Sequence, residues 1–245
     1  MMMHGDILAT IVVTATIQSL FGVGVLLFGT PILLLLGYEF VTVLTTLLPI
    51  SLAINLAQVG WHRRQINKAF YKKVLLLSVP FVILSLFLVT RTKISLGPFI
   101  GLFLIVVALK GLWPAVHKLI DALTLYERTY FIVMGIIHGL TNLGGSLLTA
   151  LVHHKHYSKD VTRVTTAVSY GTFALFQLLT LLAALPSFDL PAEQVLFYMT
   201  TGLSVFFFME HMVYARISAE RYRDIFSIFL FLSGLALILK SWISH

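Results

Sequence analysis

From Ile7 to Gly37 the chain runs 31 residues without a charged side chain. The stretch is interrupted near its middle by Gln18-Ser19-Leu20-Phe21-Gly22-Val23-Gly24, and Pro31 follows. As one continuous α-helix it would reach about 46 Å at 1.5 Å per residue, whereas the hydrocarbon core of a bilayer is roughly 30 Å thick. Two half-helices of about 15 residues, meeting at the glycines and turning back, fit that length better. Glycine permits the positive-φ turn and the close backbone approach that such a tip demands. Backbone exposed at membrane depth is tolerated only where it lines a protein cavity or holds a ligand. A second stretch, His138-Gly139-Leu140-Thr141-Asn142-Leu143-Gly144-Gly145-Ser146, repeats the pattern 120 positions later.

Composition places the whole chain in the bilayer. The 245 residues are 58% hydrophobic and 11% charged, with a mean hydropathy of +0.95, far from soluble usage. Apolar runs continue to the C-terminus, which argues against a cleaved signal peptide on a soluble enzyme, and no processing signal is apparent. The expected setting is the cytoplasmic membrane, crossed several times, with no soluble catalytic domain and no nucleic-acid partner. The net charge of +7 is expected to reflect Lys and Arg gathered in cytoplasmic loops beside anionic lipid. With no Cys in the chain, disulfides, thiolate metal ligands and thiol chemistry are excluded.

The chain divides into two repeats, residues 1–120 and 121–245. Aligned at 120 residues, eight of thirty pairs between positions 17 and 46 are identical, among them Gly24/Gly144, Thr42/Thr162, Thr45/Thr165 and Thr46/Thr166. The later apolar spans are expected to keep this spacing, as in a tandem duplication. Charge decides the orientation of the repeats. If both broken stretches cross the membrane, the 17 Lys and Arg divide nine to eight between its sides. If both dip in and return, each half has three full spans and the split becomes fourteen to three, with only Arg91, Lys93 and Lys240 outside. The positive-inside rule favours the second arrangement. Three crossings per half invert the second half relative to the first. The predicted fold is therefore an all-α integral membrane protein of two inverted-topology repeats, each a glycine-broken re-entrant helical hairpin plus three transmembrane helices.

Half-helices that begin at the tips present free N–H groups and a positive dipole end, which favour an anion. The candidate substrate-binding residues are Gln18, Ser19, Gly22 and Gly24 at the first tip and His138, Thr141, Asn142, Gly144, Gly145 and Ser146 at the second. Thr45, Thr46, Thr165 and Thr166 join them from the following spans, although Ser and Thr in membrane helices also bond their own preceding turn. His138 is the one ionisable side chain expected well inside the membrane, as a proton carrier or a neutral hydrogen-bonding ring. Glu210 and His211 are expected at an interface. His153, His154 and His156 are expected to be solvated rather than metal-binding, and Trp61, Trp113 and Trp242 to anchor span ends.

These residues resemble the TauE/SafE family of sulfite and organosulfonate exporters over the whole chain. Gly22-Val23-Gly24 with Pro31, and Asn142-Leu143-Gly144-Gly145, keep part of its glycine-rich tips. Thr45-Thr46 and Thr165-Thr166 resemble its Thr-Ser pair. Arg63-Arg64-Gln65-Ile66-Asn67 resembles its basic loop, with Gln65 and Asn67 where the family has Gly and Asp. The resemblance implies a secondary transporter exporting a small sulfur-containing anion without ATP, enzyme activity or cofactor. Protons as coupling ion and a homodimer are further expectations. An anion channel built on the same half-helices is the alternative. An intramembrane enzyme lacks its catalytic pairs, since Asp and Glu are confined to loops and span ends.

Overall fold

The computed structural model describes residues 4–92, 96–110, 126–185, 192–213 and 219–243. The boundary between the proposed repeats, Lys93, Trp113, Lys118, Asp121, Arg216 and residues 186–191 of the acidic turn lie outside them. Every regular element among the described residues is helical. The first half contains α1 (Gly5–Phe21), α2 (Val25–Leu36), α3 (Phe40–His62), α4 (Lys68–Arg91) and α5 (Gly97–Lys110). The second contains α6 (Glu127–Thr141), α7 (Gly145–His154), α8 (Lys159–Ala184), α9 (Ala192–Val213) and α10 (Ala219–Ile243). Of these, α3, α4, α8 and α9 are long and apolar enough to cross a membrane, while α1, α2, α5 and the apolar part of α10 are shorter.

Both broken stretches fold as hairpins whose two ends meet. Tyr38, just beyond α2, donates its hydroxyl to the Asp6 carboxylate in the first turns of α1, at 2.8 and 3.0 Å. In the second hairpin, Lys155 at the end of α7 pairs with Glu127 at the start of α6, at 3.0 Å. The breaks themselves keep the 120-residue register without slippage: α1 ends at Phe21 and α6 at Thr141, and α2 begins at Val25 and α7 at Gly145. The next helices begin within one residue of the same spacing, α3 at Phe40 and α8 at Lys159.

The halves interlock. Helix α1 packs on α9 of the other half, and α6 packs correspondingly on α4. The central pair, α3 and α8, runs antiparallel: Asn55 lies beside Gly171, and the backbone N–H of Asn67, past the end of α3, donates to Thr165 near the start of α8 at 3.0 Å. Within α4 a π-helical turn spans Val74–Ser78. It precedes Pro80, which supplies no N–H and whose ring would crowd the carbonyl of Leu76 in a regular helix. Ser78 beside this turn donates to the Phe131 carbonyl of α6 at 2.8 Å. A buried cluster of Leu, Ile, Val and Phe runs through both halves, while Leu56, Leu84, Leu102, Leu182, Phe208 and Leu232 point outward, as lipid-facing side chains do.

Polar groups collect at two ends of the bundle. At one, Lys240 near the end of α10 donates to the carbonyls of Leu34 and Leu35, at 3.0 and 3.1 Å, close to the Asp6–Tyr38 contact. Those are orphan carbonyls at the C-terminus of α2, where a cation is favoured. At the other, Lys73 and Lys155 both reach Glu127. Burial raises the Glu127 carboxyl, but the hydrogen bonds from Lys73 and Lys155 outweigh it and hold the group below its ordinary range. Trp242 is largely exposed near the end of α10.

Candidate functional site

The first break is made by Gly22, whose φ of +75° ends α1 while its N–H bonds the Gln18 carbonyl at 2.8 Å. Few L-residues adopt that conformation. Gln18 then turns its side chain toward the start of α2 and accepts the Val25 N–H at 2.9 Å. One donor expected to face an anion is therefore held by the chain itself. The second break has the same construction. Asn142 takes φ +62° and bonds the His138 carbonyl at 2.7 Å.

Gly24 and Gly144 occupy matching sites. A Cβ on Gly24 would lie 2.6 Å from the Gln18 nitrogen and 2.7 Å from the Thr14 carbonyl oxygen; on Gly144 it would lie 2.5 Å from the His138 Cβ and 2.7 Å from the Met134 oxygen. Each glycine thus lets the start of the second half-helix touch the last turns of the first. The matching contacts, Thr14 with Met134 and Gln18 with His138, keep the same 120-residue spacing.

A side-chain bond joins the two hairpins. The Asn142 amide at the second break donates to the Thr30 hydroxyl in α2, at 2.9 Å, with both residues fully buried. Around the second break lie His138, Tyr170 and Phe173. His138 is completely buried, its Nε2 is 3.1 Å from Gln177 Oε1 on α8, and its ring tilts against Phe173 at 4.6 Å between centroids. Its partner is on a neighbouring span rather than within its hairpin. The Tyr170 hydroxyl sits at Gly145, where the start of α7 leaves no room for a side chain.

The remaining candidates are less gathered. Ser19 is buried and donates to the Thr16 carbonyl. Thr45 and Thr46 are half-buried and both donate to Thr42. Thr141 accepts the Leu143 N–H and donates to Ile137, while half-buried Ser146 donates to the Leu143 carbonyl. Thr165 is engaged by Asn67, whose own side chain caps the start of α4 by accepting the Phe70 N–H. Thr166 is buried in α8. Among the described residues no group of three or more His, Asp and Glu gathers as metal ligands would.

Several polar groups in the bundle lack partners, and of these Gln58 is the one that sequence reasoning missed. Among the described residues, Asn55 Oδ1, both polar atoms of Gln58, His138 Nδ1, Asn142 Oδ1 and Gln177 Nε2 are buried without a hydrogen-bond partner. Orphaned polar atoms of this kind are costly and call for an explanation. Glu210, in the last turn of α9, ion-pairs with Arg163 near the start of α8, a partner that sequence reasoning missed, and both side chains are mostly buried. The stem of Arg163 lies against the first break, with its Cγ 3.7 Å from the place a Cβ would take on Gly22.

The family model for the sulfite exporter TauE/SafE matches residues 7–237. The chain belongs to the TauE/SafE family. That family is one of membrane transporters, not enzymes, and membership makes this chain a transporter of the sulfite-exporter type. Searches of curated proteins and of solved structures return no match. In this TauE/SafE chain the match takes in both helix breaks, the Thr30–Asn142 bridge and the Arg163–Glu210 pair.

Proposed function

We propose that this protein is a secondary transporter exporting a small sulfur-containing anion (sulfite, sulfoacetate or another organosulfonate) across the cytoplasmic membrane. The two hairpins are re-entrant, belong to inverted repeats covering residues 1–120 and 121–245, and bind the anion between their tips near the midplane. The observation that carries this is the buried bond from Asn142 to Thr30, which brings the break of one hairpin onto the second helix of the other. Inversion is supported by the antiparallel course of α3 and α8, the equivalent spans of the two halves. It is supported again by the gathering of Lys73, Glu127 and Lys155 away from Lys240 and Asp6. Gln18, Ser19, Gly22, Gly24, His138, Thr141, Asn142, Gly144, Gly145 and Ser146 form the site in this account. Thr45, Thr46, Thr165 and Thr166 line its approach.

Neutral amides, hydroxyls and backbone N–H groups suit an anion that must leave as readily as it enters. Proton coupling would enter at His138, and a homodimer, if formed, would appear in the light-scattering mass of the purified protein. Two measurements test the function. Liposomes containing the protein should show saturable sulfite or sulfoacetate flux with counterflow; absence of flux for every sulfur anion tried would refute the proposal. If His138 carries the proton, anion affinity between about pH 5.5 and 8 should rise toward acid in the wild type and flatten in His138→Gln. Superimposable profiles would remove the proton from the mechanism.

A further inference from the structure

We propose that Arg163 is the charged contact for the transported anion at the first break, and that the Glu210 carboxylate holds its place between cargoes. This deepens the anion-transport proposal above and rests on it. Four observations point there. Arg163 lies within α8, and its methylene stem packs beside Gly22 at the tip of the first hairpin. Its guanidinium pairs with Glu210 on α9, and the two side chains are only 18% and 17% exposed. The pair is therefore a charge site inside the helical bundle, not a solvated ornament.

The carboxylate is held at one point. Glu210 Oε1 takes the ion pair, whereas Oε2 is buried and accepts no hydrogen bond among the described residues. A carboxylate retained for stability alone would be expected to satisfy both oxygens. Finally, the charge has no counterpart in the other half, where Val43 is fully buried at the matching position. Duplication alone does not account for a guanidinium beside one tip.

Exchange at this site conserves charge. An incoming sulfonate or sulfite presents oxygens to the guanidinium much as a carboxylate does, and Arg is the side chain suited to such planar recognition. As the anion takes Arg163, Glu210 is released toward the end of α9, one turn from its last residue, Val213. The guanidinium is never left bare, which spares the large cost of a buried unpaired charge. When the anion leaves, Glu210 returns and resets the site.

The test is anion binding by the purified full-length protein, measured calorimetrically with sulfite and with sulfoacetate. Glu210→Gln removes the competitor. If Glu210 holds Arg163 in nine molecules of ten, the variant should bind about tenfold more tightly. Arg163→Gln with Glu210→Gln removes both charges of the pair together, so binding should be lost while the unliganded protein still melts cooperatively. Arg163→Lys keeps the charge without the planar fork and should bind sulfoacetate more weakly than wild type. Glu210→Gln binding no tighter, or the double variant binding like wild type, would overturn the proposal. If the double variant binds normally while Gly24→Val does not, the tip site stands and the role of Arg163 falls. Wild-type protein that binds neither anion overturns both.

Discussion

At the first break a glycine takes the positive-φ position, Gln18 folds back onto the Val25 N–H, and the Arg163–Glu210 pair stands alongside. At the second, Asn142 takes the same position, His138 replaces Gln18, and the surroundings are Tyr170, Phe173, Gln177 and Thr30, all neutral. The helix ends and the left-handed residue match in register, although Gly24 and Gly144 differ in backbone (φ −177° and −58°), and the chemistry around the breaks does not match. The shared part is what a half-helix tip requires: one residue in the left-handed region, then a glycine thin enough to lie on the preceding turn. The differing part is free to specialise. One tip has a charge that can attract an anion, and the other a rigid network of amides and rings that can orient it.

The largest effects should come from the shared part. Gly24→Val and Gly144→Val each place a branched side chain against backbone atoms less than 3 Å away. Each should abolish sulfite or sulfoacetate binding in a calorimetric titration and lower stability by about 1–3 kcal/mol. A normal affinity in either variant would show that the tip nearby does not bind the anion.

Exchanging the two positive-φ residues sharpens the comparison. Gly22→Asn should be tolerated, because Asn adopts this conformation at the second break, whereas Gly22→Val should be strained. Asn142→Gly keeps the turn but removes the bridge to Thr30, as does Thr30→Val. Each should cost roughly 1 kcal/mol in thermal unfolding, with the double variant costing less than the sum. Additive losses would mean that the bridge does not couple the hairpins.

Much of this was legible in the sequence, because the breaks are local events. Gly22, Gly24 and Gly144 are backbone requirements that residue type and spacing reveal directly, and the 120-residue register carried the inference from one hairpin to the other. The partners were not legible. His138 and Gln177 are 39 residues apart, Arg163 and Glu210 47, and Thr30 and Asn142 112. Such pairs arise from how long helices dock, and nothing local in one sequence distinguishes Arg163 from the loop arginines around it. Thr165 is a further case: its hydroxyl receives the Asn67 N–H, a partner that its place beside Thr166 does not reveal.

The hairpin ends should show the smallest effect, a shared sensitivity to acid. The hydrogen bond from Tyr38 holds Asp6 below its ordinary value of 3.8, and Glu127 is held below 4.5 despite its burial. A carboxyl whose folded pKa is depressed contributes stability above its unfolded pKa and loses it as pH falls through the folded value. Both clamps should therefore be intact at neutral pH and weaken below about pH 4. Tyr38→Phe and Glu127→Gln should each remove part of the acid dependence of the melting temperature, and unchanged profiles would assign it to other groups.

The central claim is that the hairpins enter from opposite sides and that each returns to the side it came from. Because the chain contains no cysteine, single cysteines report this cleanly at four exposed positions: Gly5 and Glu39 flanking the first hairpin, and Tyr126 and Ser158 flanking the second. With a membrane-impermeant thiol reagent, Gly5→Cys and Glu39→Cys should label from outside intact cells, and Tyr126→Cys and Ser158→Cys only in inverted vesicles. Labelling of Tyr126→Cys and Ser158→Cys from opposite sides, or of all four from the same side, would contradict the account.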